Sequence, residues 1–486
     1  MDLELGLDPD AARRLSRLPL LTPLRSGKTR SRTIRIIWHD SAEHALAKNG
    51  LVLAEQRPQW RLERLAPDDA TWPPGGPVPV VASARSLDEL GRALPQPLVP
   101  IAAFEGRARS IDLACEHGPV VMTLLAGAIR AVAGEHRISR VHLEGAVQPV
   151  QALAVALAGQ LDLSVPRTCL AAEALAIVTG VPPAGRHHGA PDLPAGCSVA
   201  EAFAHTVGHL TDVILHYAPA AAAGSDGPEP VHQMRVAVRR LRSAIKVFRR
   251  GVQSTEVDAA DAGLKALASR LGPTRDWDVF VTETFAAVAG AFPHEKHLKR
   301  LLAAAERRRR AAHSELRAFL TSFEFHRLGI ELACLASGKE WQETLGEAEQ
   351  AELALSLEDF AARVLDRRLK RLIQVESTLA ELEPSALHAV RLSAKRLRYA
   401  AEIFAPLYPG KSTSRYLRRL GNLQDRLGAL NDVSVASTLL TELAGSGSQA
   451  FASGLVLGYS GAHGGRTRGK IDAVWQKFRR QAPFWE

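Results

Sequence analysis

At 486 residues, with 46% hydrophobic and 23% charged side chains, the chain has room for roughly two to four domains and is too apolar to be disordered or fibrous. Lys and Arg number 61 against 52 Asp and Glu, a net charge of +9 that points to anionic partners. Four cysteines, Cys115, Cys169, Cys197 and Cys334, lack any CxxC spacing, which argues against a disulfide framework or a zinc site, and no apolar run reaches the roughly 18 residues of a membrane span.

The chain opens on MDLELGLDPD, which is acidic and lacks a basic segment followed by an apolar one, so a soluble cytoplasmic protein is expected. From Thr33 to about Ile177 short apolar runs alternate with turn signals. TIRIIWHD, GLVLAEQ, WRLERL, PVVMTLLAG and RVHLEGAV read as strands, with the breaker TWPPGGPVP among them. Residues 147–161, VQPVQALAVALAGQL, have helical spacing, so the first half is expected to be α+β, an antiparallel sheet with a few helices. VPPAGRHHGAPDLP, residues 181–194, reads as a linker between a domain at 1–180 and one at 195–486. Beyond it the composition, rich in Ala, Leu, Arg and Glu with a 3.6-residue period, is that of helical bundles. That half carries most of the charge: +2 falls in residues 1–190 and +7 in 191–486.

Within the helical half the sequence repeats. VHQMRVAVRRLRSAIKVF at 231–248 aligns without a gap on LHAVRLSAKRLRYAAEIF at 387–404, an offset of 156. The same offset pairs Arg270 with Arg426, Gly272 with Gly428 and Asp276 with Asp432 in a second block that ends at 279 and 435. Two blocks agreeing on one offset imply two similar units, about 195–340 and 350–486, related by a pseudo-two-fold axis.

Spacing within each block separates core from surface. Val231, Met234, Val238, Leu241, Ile245 and Phe248 share one helical face and are expected to be core. His232, Arg235, Arg239, Arg242, Lys246 and Arg249 follow one residue later, a basic stripe about 100° around the helix. The second block repeats this with Leu387, Val390, Ala394, Leu397 and Ala401 inward and His388, Arg391, Lys395 and Arg398 beside them. A solvated helix face usually mixes Glu with Lys or Arg, because like charges at i,i+4 cost about 0.2–0.5 kcal/mol per pair. Residues 231–250 contain no carboxylate, so the stripe is expected to meet a polyanion, and arginine's planar fork suits phosphate oxygens.

These residues resemble the CHAD family, through VHQMRVAVRRLR with LGPTRDWDV and LHAVRLSAKRLRY with LQDRLGALNDV, over roughly residues 195–486. The resemblance implies an all-α domain of two pseudo-symmetric four-helix bundles that binds inorganic polyphosphate between the repeats, with association to polyphosphate granules as a further implication. It adds Arg240 and Arg396 to the binding set His232, Arg235, Arg239, Arg242, Lys246, Arg249, His388, Arg391, Lys395 and Arg398, in which Lys395 replaces the arginine of the first repeat.

The first half is similar to the CYTH domains, the triphosphate-tunnel fold, through DLELG at 2–6, RTIRIIWHD at 32–40, LAKNGLVL at 46–53, WRLE at 60–63 and VHLEGA at 141–146. That family implies a Glu-x-Glu-x-Lys opening, alternating carboxylates for Mg or Mn, and alternating cations for triphosphate. Here Asp2 and Glu4 remain but Gly6 stands at the lysine position, Ala54 and Gln56 replace arginines, MTLLAG at 122–127 has no carboxylate and only Glu144 persists near 141. Metal-assisted phosphoryl hydrolysis needs clustered carboxylates and cations, so an inactive pseudo-enzyme without a cofactor is expected, with a metal-dependent triphosphatase as the alternative.

Three further patterns stand out. His205, His209, Asp212 and His216 share a helical face with acceptable metal-ligand spacing, a pattern that polar helix faces also produce without a metal, and none is assigned. Arg307 to Arg310 are expected to be solvated, and His187 and His188 to be linker residues without a role. Nucleic acid is expected only as a weaker competitor, because aromatics make up 5% of the chain and the basic stripe carries none for base stacking.

Overall fold

The computed structural model describes the chain except for residues 66–77, 81–83, 85–93, 95–96, 133, 182–188, 195, 225–226, 338–341, 343–344, 375–377, 444–447 and 469–470. Side chains at 384, 429–433, 448–449 and 463–468 are likewise not described. Most of the TWPPGGPVP breaker, half of the 181–194 linker including His187 and His188, and the side chain of Asp432 therefore lie outside the described residues.

The alternating runs of the first half form an antiparallel sheet. Its strands are β1 (Asp2–Leu7), β2 (Arg30–Asp40), β3 (Leu51–Gln56), β4 (Gln59–Arg64), β5 (Val78–Pro79), β6 (Val99–Cys115), β7 (Gly118–Ala131), β8 (Gly134–Gly145) and β9 (Leu163–Ser164). Their order is β5-β4-β3-β2-β6-β7-β8-β1-β9. Period-2 alternation gives the sheet two apolar faces. On one, Leu3, Leu5, Ile111, Met122 and Leu143 are covered by α1 (Pro9–Leu15), where Asp8 caps the first turn through the amides of Asp10 and Ala11. A short α2 (Ala45–Lys48) leads into β3, and α3 (Val147–Ala158) joins α1 on that same face. On the opposite face Ile34, Trp38, Val52 and Phe104 pack beneath α4 (Leu170–Thr179), which ends at Gly180 in the left-handed conformation that favours glycine. Gly106 and Gly127 face each other across β6 and β7 under the Phe104 ring, where a Cβ on Gly106 would lie 2.5 Å from the Ala126 carbonyl.

Between α4 and α5 (Val199–Ala223) the described positions carry neither helix nor strand. The second half is helical throughout: α6 (Glu229–Val252), α7 (Thr255–Val279) continued by a π-helical turn at Phe280–Phe285, α8 (Ala286–Ala291), α9 (His297–Leu320) and α10 (Phe323–Ser337). The second unit has α11 (Glu347–Leu353), α12 (Leu357–Ile373), α13 (Pro384–Phe404), α14 (Lys411–Glu442), α15 (Ser448–Arg468) and α16 (Ile471–Arg479). Ser198 and Glu201 form a capping box that starts α5. One apolar core runs through both units, and α10 extends it into the sheet by packing Ile330, Ala333 and Cys334 among the residues beneath α3. Among the described residues no helix is long and apolar enough to cross a membrane.

Candidate anion-binding site

The apolar stripes explain why α6 and α13 lie side by side. Every residue of the expected core stripe, Val231 to Phe248 and Leu387 to Ala401, is buried. Phe248 meets its repeat counterpart Phe404 edge-on at 5.8 Å between ring centroids and stacks on Phe360 at 5.5 Å. The adjoining basic stripes are thereby carried to the seam between the two units.

The stripe is not one continuous field. Its N-terminal part opens on a cleft of about 370 Å³, lined by His232, Arg235 and Arg239 of α6, Arg275 of α7, and Arg391 and Lys395 of α13. Asp276 is the one carboxylate among the described lining residues. It faces Arg235, whose Nη1 lies 3.1 Å from Asp276 Oδ1 and donates to the Gly272 carbonyl at 2.7 Å. Arg239 crosses the seam, donating to the Tyr399 hydroxyl at 2.7 Å with its guanidinium 5.8 Å from that ring's centroid. Burial, and then the charge of Arg275, holds the His232 imidazole below its ordinary pKa. Burial also lowers the Arg235 guanidinium, partly offset by Asp276.

The remaining expected residues sit elsewhere. Arg240 and Arg398 both donate to Glu402, at 3.1 and 2.7 Å, and Arg398 also reaches Gln424 at 2.9 Å. Arg242 pairs with Asp261 at 2.8 Å and Arg249 with Asp258 at 3.6 Å. The carboxylates missing from residues 231–250 are thus supplied by α7 and α13, so part of the stripe is already paired within the protein. Partial burial of its ammonium and then Arg242 lower Lys246, against the opposing pull of Asp261, with Arg396 and Arg249 also near. His388 is exposed and does not line the cleft.

The comparisons with known proteins bear on this seam. The family model of the CHAD domain matches residues 205–441. The crystal structure of the CHAD domain from the plant Ricinus communis is 30% identical, with a TM-score of 0.52, and the match covers 62% of this chain and 98% of that one. The chain belongs to the CHAD family. PptA from Streptomyces chartreusis also matches this CHAD protein, at 18% identity and TM-score 0.43, over 58% of this chain and 100% of that one. No curated protein matches it.

Two features of this CHAD domain escape a reading of the sequence. Arg275 stands in the repeated LGPTRDWDV block but is no part of the α6 stripe, and only the packing of α7 beside α6 turns it into the cleft. Arg368 of α12 donates to the backbone carbonyl of Arg396, and burial, followed by Arg396, Arg367 and Arg371, lowers its pKa to about 10. Among the described residues no three His, Cys, Asp or Glu groups are placed to hold a metal, and Asp212 is engaged by Arg167 at 3.1 Å. Arg309 is not solvated as expected of the 307–310 run: it donates at 2.7 Å to the buried Asp278, which His313 also meets at 2.9 Å.

In the first half, Glu4 is buried 3.4 Å from Arg140, which also pairs with Glu173 of α4. Glu63 is buried too, and burial raises its carboxyl to about 7 against the opposing pull of Arg61.

Proposed function

We propose that this CHAD protein binds inorganic polyphosphate without hydrolysing it, the cleft between α6 and α13 holding the chain. The observation that carries this reading is the convergence of His232, Arg235, Arg239, Arg275, Arg391 and Lys395 from both repeats on one cleft, with Asp276 the one carboxylate among its described lining residues. Such a site offers forked donors to phosphate oxygens, and its described lining residues hold neither a nucleophile with its base nor the clustered carboxylates that a catalytic divalent cation needs. Association with polyphosphate granules would follow from the same affinity.

The antiparallel sheet is consistent with a CYTH-like domain that has lost its chemistry. Supporting this, the face that carries Glu4 is packed by α4, Trp38 and Phe104, and Glu4 and Glu173 are both committed to Arg140. The test is a titration of the full chain with polyphosphates of defined length, run beside a phosphate-release assay on tripolyphosphate with Mg or Mn. Saturable binding with no enzymatic release is expected. Turnover at an enzymatic rate would reject the non-catalytic reading, and no binding at low salt would reject the cleft.

A further inference from the structure

A second concentration of cations lies on the first half, away from the face that carries Glu4. A cleft of about 580 Å³ opens where the outer face of β6, β7 and β8 runs out from under α1. Arg13 and Arg17 reach it from the α1 end, Arg107 and Arg109 from β6, and Arg137 from β8, with no carboxylate among the lining residues. The register explains the convergence. Arg107 lies across from Ala126, and Ala126 from Ser139, while Arg137 lies across from Ala128. Small side chains on β7 therefore leave a trough between arginines two strands apart, roughly 10 Å by strand spacing. Arg107 and Arg109, two residues apart, project from the same face. A smaller adjoining cleft shares Arg109 and adds Arg25.

Three other exposed arginines of this sheet have carboxylate partners, Arg30 with Asp112 at 2.7 Å, Arg35 with Glu105 at 3.1 Å, and Arg130 with Glu105 at 2.6 Å and Glu135 at 3.2 Å, while Arg32 on β2 stands alone and without one among the described residues. Arg13 pairs with Asp10. Arg17, Arg107, Arg109 and Arg137 have no such partner among the described residues. Position at a helix C-terminus accounts for Arg13 and Arg17, since cations there meet the negative end of the dipole. It accounts for none of the three strand arginines, and the same-face carboxylates two residues from Arg107 and Arg137, Glu105 and Glu135, are taken up by Arg35 and Arg130.

We infer that this trough is a second phosphate-chain station, an oligophosphate lying across β7 between Arg107, Arg109 and Arg137 with Arg13 and Arg17 on its flank. The choice of a bare phosphate chain rests on the lining. It offers no aromatic side chain for base stacking and no exposed bulky apolar group for insertion into a lipid surface. The inference takes the ligand's identity from the function proposed above but uses none of the same residues, so the two can fail separately.

The experiment is a calorimetric titration of the full-length protein with a short oligophosphate, long enough to fill one station but too short to span two. Four proteins are compared: wild type, Arg107→Glu/Arg109→Glu, Arg239→Glu/Lys395→Glu, and all four changes together. Wild type should bind two equivalents, each double variant one, and the quadruple variant none, with affinity at the altered station falling by roughly tenfold or more. Circular dichroism checks folding, and Arg107→Gln/Arg109→Gln, which removes charge without reversing it, should show the same loss more weakly. If Arg107→Glu/Arg109→Glu titrates like wild type, the station does not exist. If it loses binding only to single-stranded DNA or to phosphatidylserine vesicles, the assignment to a phosphate chain is overturned. If instead Arg239→Glu/Lys395→Glu alone leaves binding intact, the cleft reading fails while the sheet station stands.

Discussion

Arg240 and Glu402 meet at 3.1 Å across the packed helices α6 and α13, whereas the positions that the 156-residue repeat makes equivalent to them, Arg396 and Lys246, are both cations. The two ends of the seam are therefore neutralised to different extents. At one, a carboxylate gathers Arg240 and Arg398. At the other, Arg396 stands among Lys246 and Arg368. Glu402→Ala should strand two partly buried guanidinium groups and cost about 2–4 kcal/mol, read as a lower denaturant midpoint. Lys246→Glu should restore the missing pair with Arg396 and stabilise by about 0.2–1 kcal/mol, since position 246 is exposed. A loss of stability in Lys246→Glu would mean that the repeat equivalence does not extend to this contact.

Charge reversal tests the cleft across the seam. Arg239→Glu and Lys395→Glu, one in each repeat, should each reduce polyphosphate affinity by about tenfold or more, equivalent to about 1.4 kcal/mol per decade. Arg307→Glu, on the exposed part of α9, should weaken binding only through the long-range field. Titration at fixed salt, with circular dichroism as a folding control, decides the matter. Wild-type binding in Lys395→Glu beside failure in Arg239→Glu would show that the repeats do not share a ligand.

His232 makes binding depend on pH. Burial and Arg275 keep its imidazole below the ordinary histidine range, and a phosphate chain in the cleft favours the imidazolium, so binding should take up a proton. Affinity should rise as pH falls from about 7 to about 5.5, and His232→Gln should flatten that rise. Stability of the free protein runs the opposite way. The unfolded chain protonates this histidine first, so its contribution, present above the ordinary range, is lost as pH falls through it. Titrations across this range in two buffers of different ionisation enthalpy report the proton uptake, and none detected would remove His232 from the site.

Glu63 gives the sheet a pH dependence of its own. Its folded carboxyl titrates near about 7, well above the ordinary range, so the folded protein retains a proton that the unfolded chain gives up. Stability from this group is complete below the ordinary carboxylate range and is lost as pH rises through about 7. Glu63→Gln should unfold at a higher temperature than wild type at pH near 8 and at about the same temperature at pH near 4. Equal shifts at both pH values would assign the effect to packing rather than to ionisation.

How much of this was legible in the sequence varied with the range of the interaction involved. The core stripe of α6 and its repeat in α13 could be read because helical periodicity is a local property, and every residue of it is buried. The partners of the basic stripe could not be read. Asp258, Asp261, Asp276 and Glu402 come from other elements, and only tertiary packing brings them to Arg249, Arg242, Arg235 and Arg240. In the sheet, the strands from Thr33 onward were visible, but along the 17 residues of β6 the buried positions pass from Ala102, Phe104 and Ala108 on one face to Ile111 and Leu113 on the other, which blurs the two-residue alternation. Helix α4 was hidden for a similar reason, its LAAEALAIVT being apolar nearly all round. The trough beneath Arg107, Arg109 and Arg137 leaves no local trace, since each arginine alone is an ordinary exposed strand residue.

The packing of α10 against α3 has one more consequence. Ile330, Ala333 and Cys334 belong to the helical half by sequence, yet they sit in the same apolar cluster as Leu3, Leu153 and Leu163. Asp162 lies 3.3 Å from His326 and Arg167 3.1 Å from Asp212 along the same contact. A cut at the linker would therefore not yield two clean pieces. Each fragment would carry a torn apolar face into water, sticky toward itself and toward chaperones, and the intact chain should melt in a single transition in which sheet and bundle are lost together.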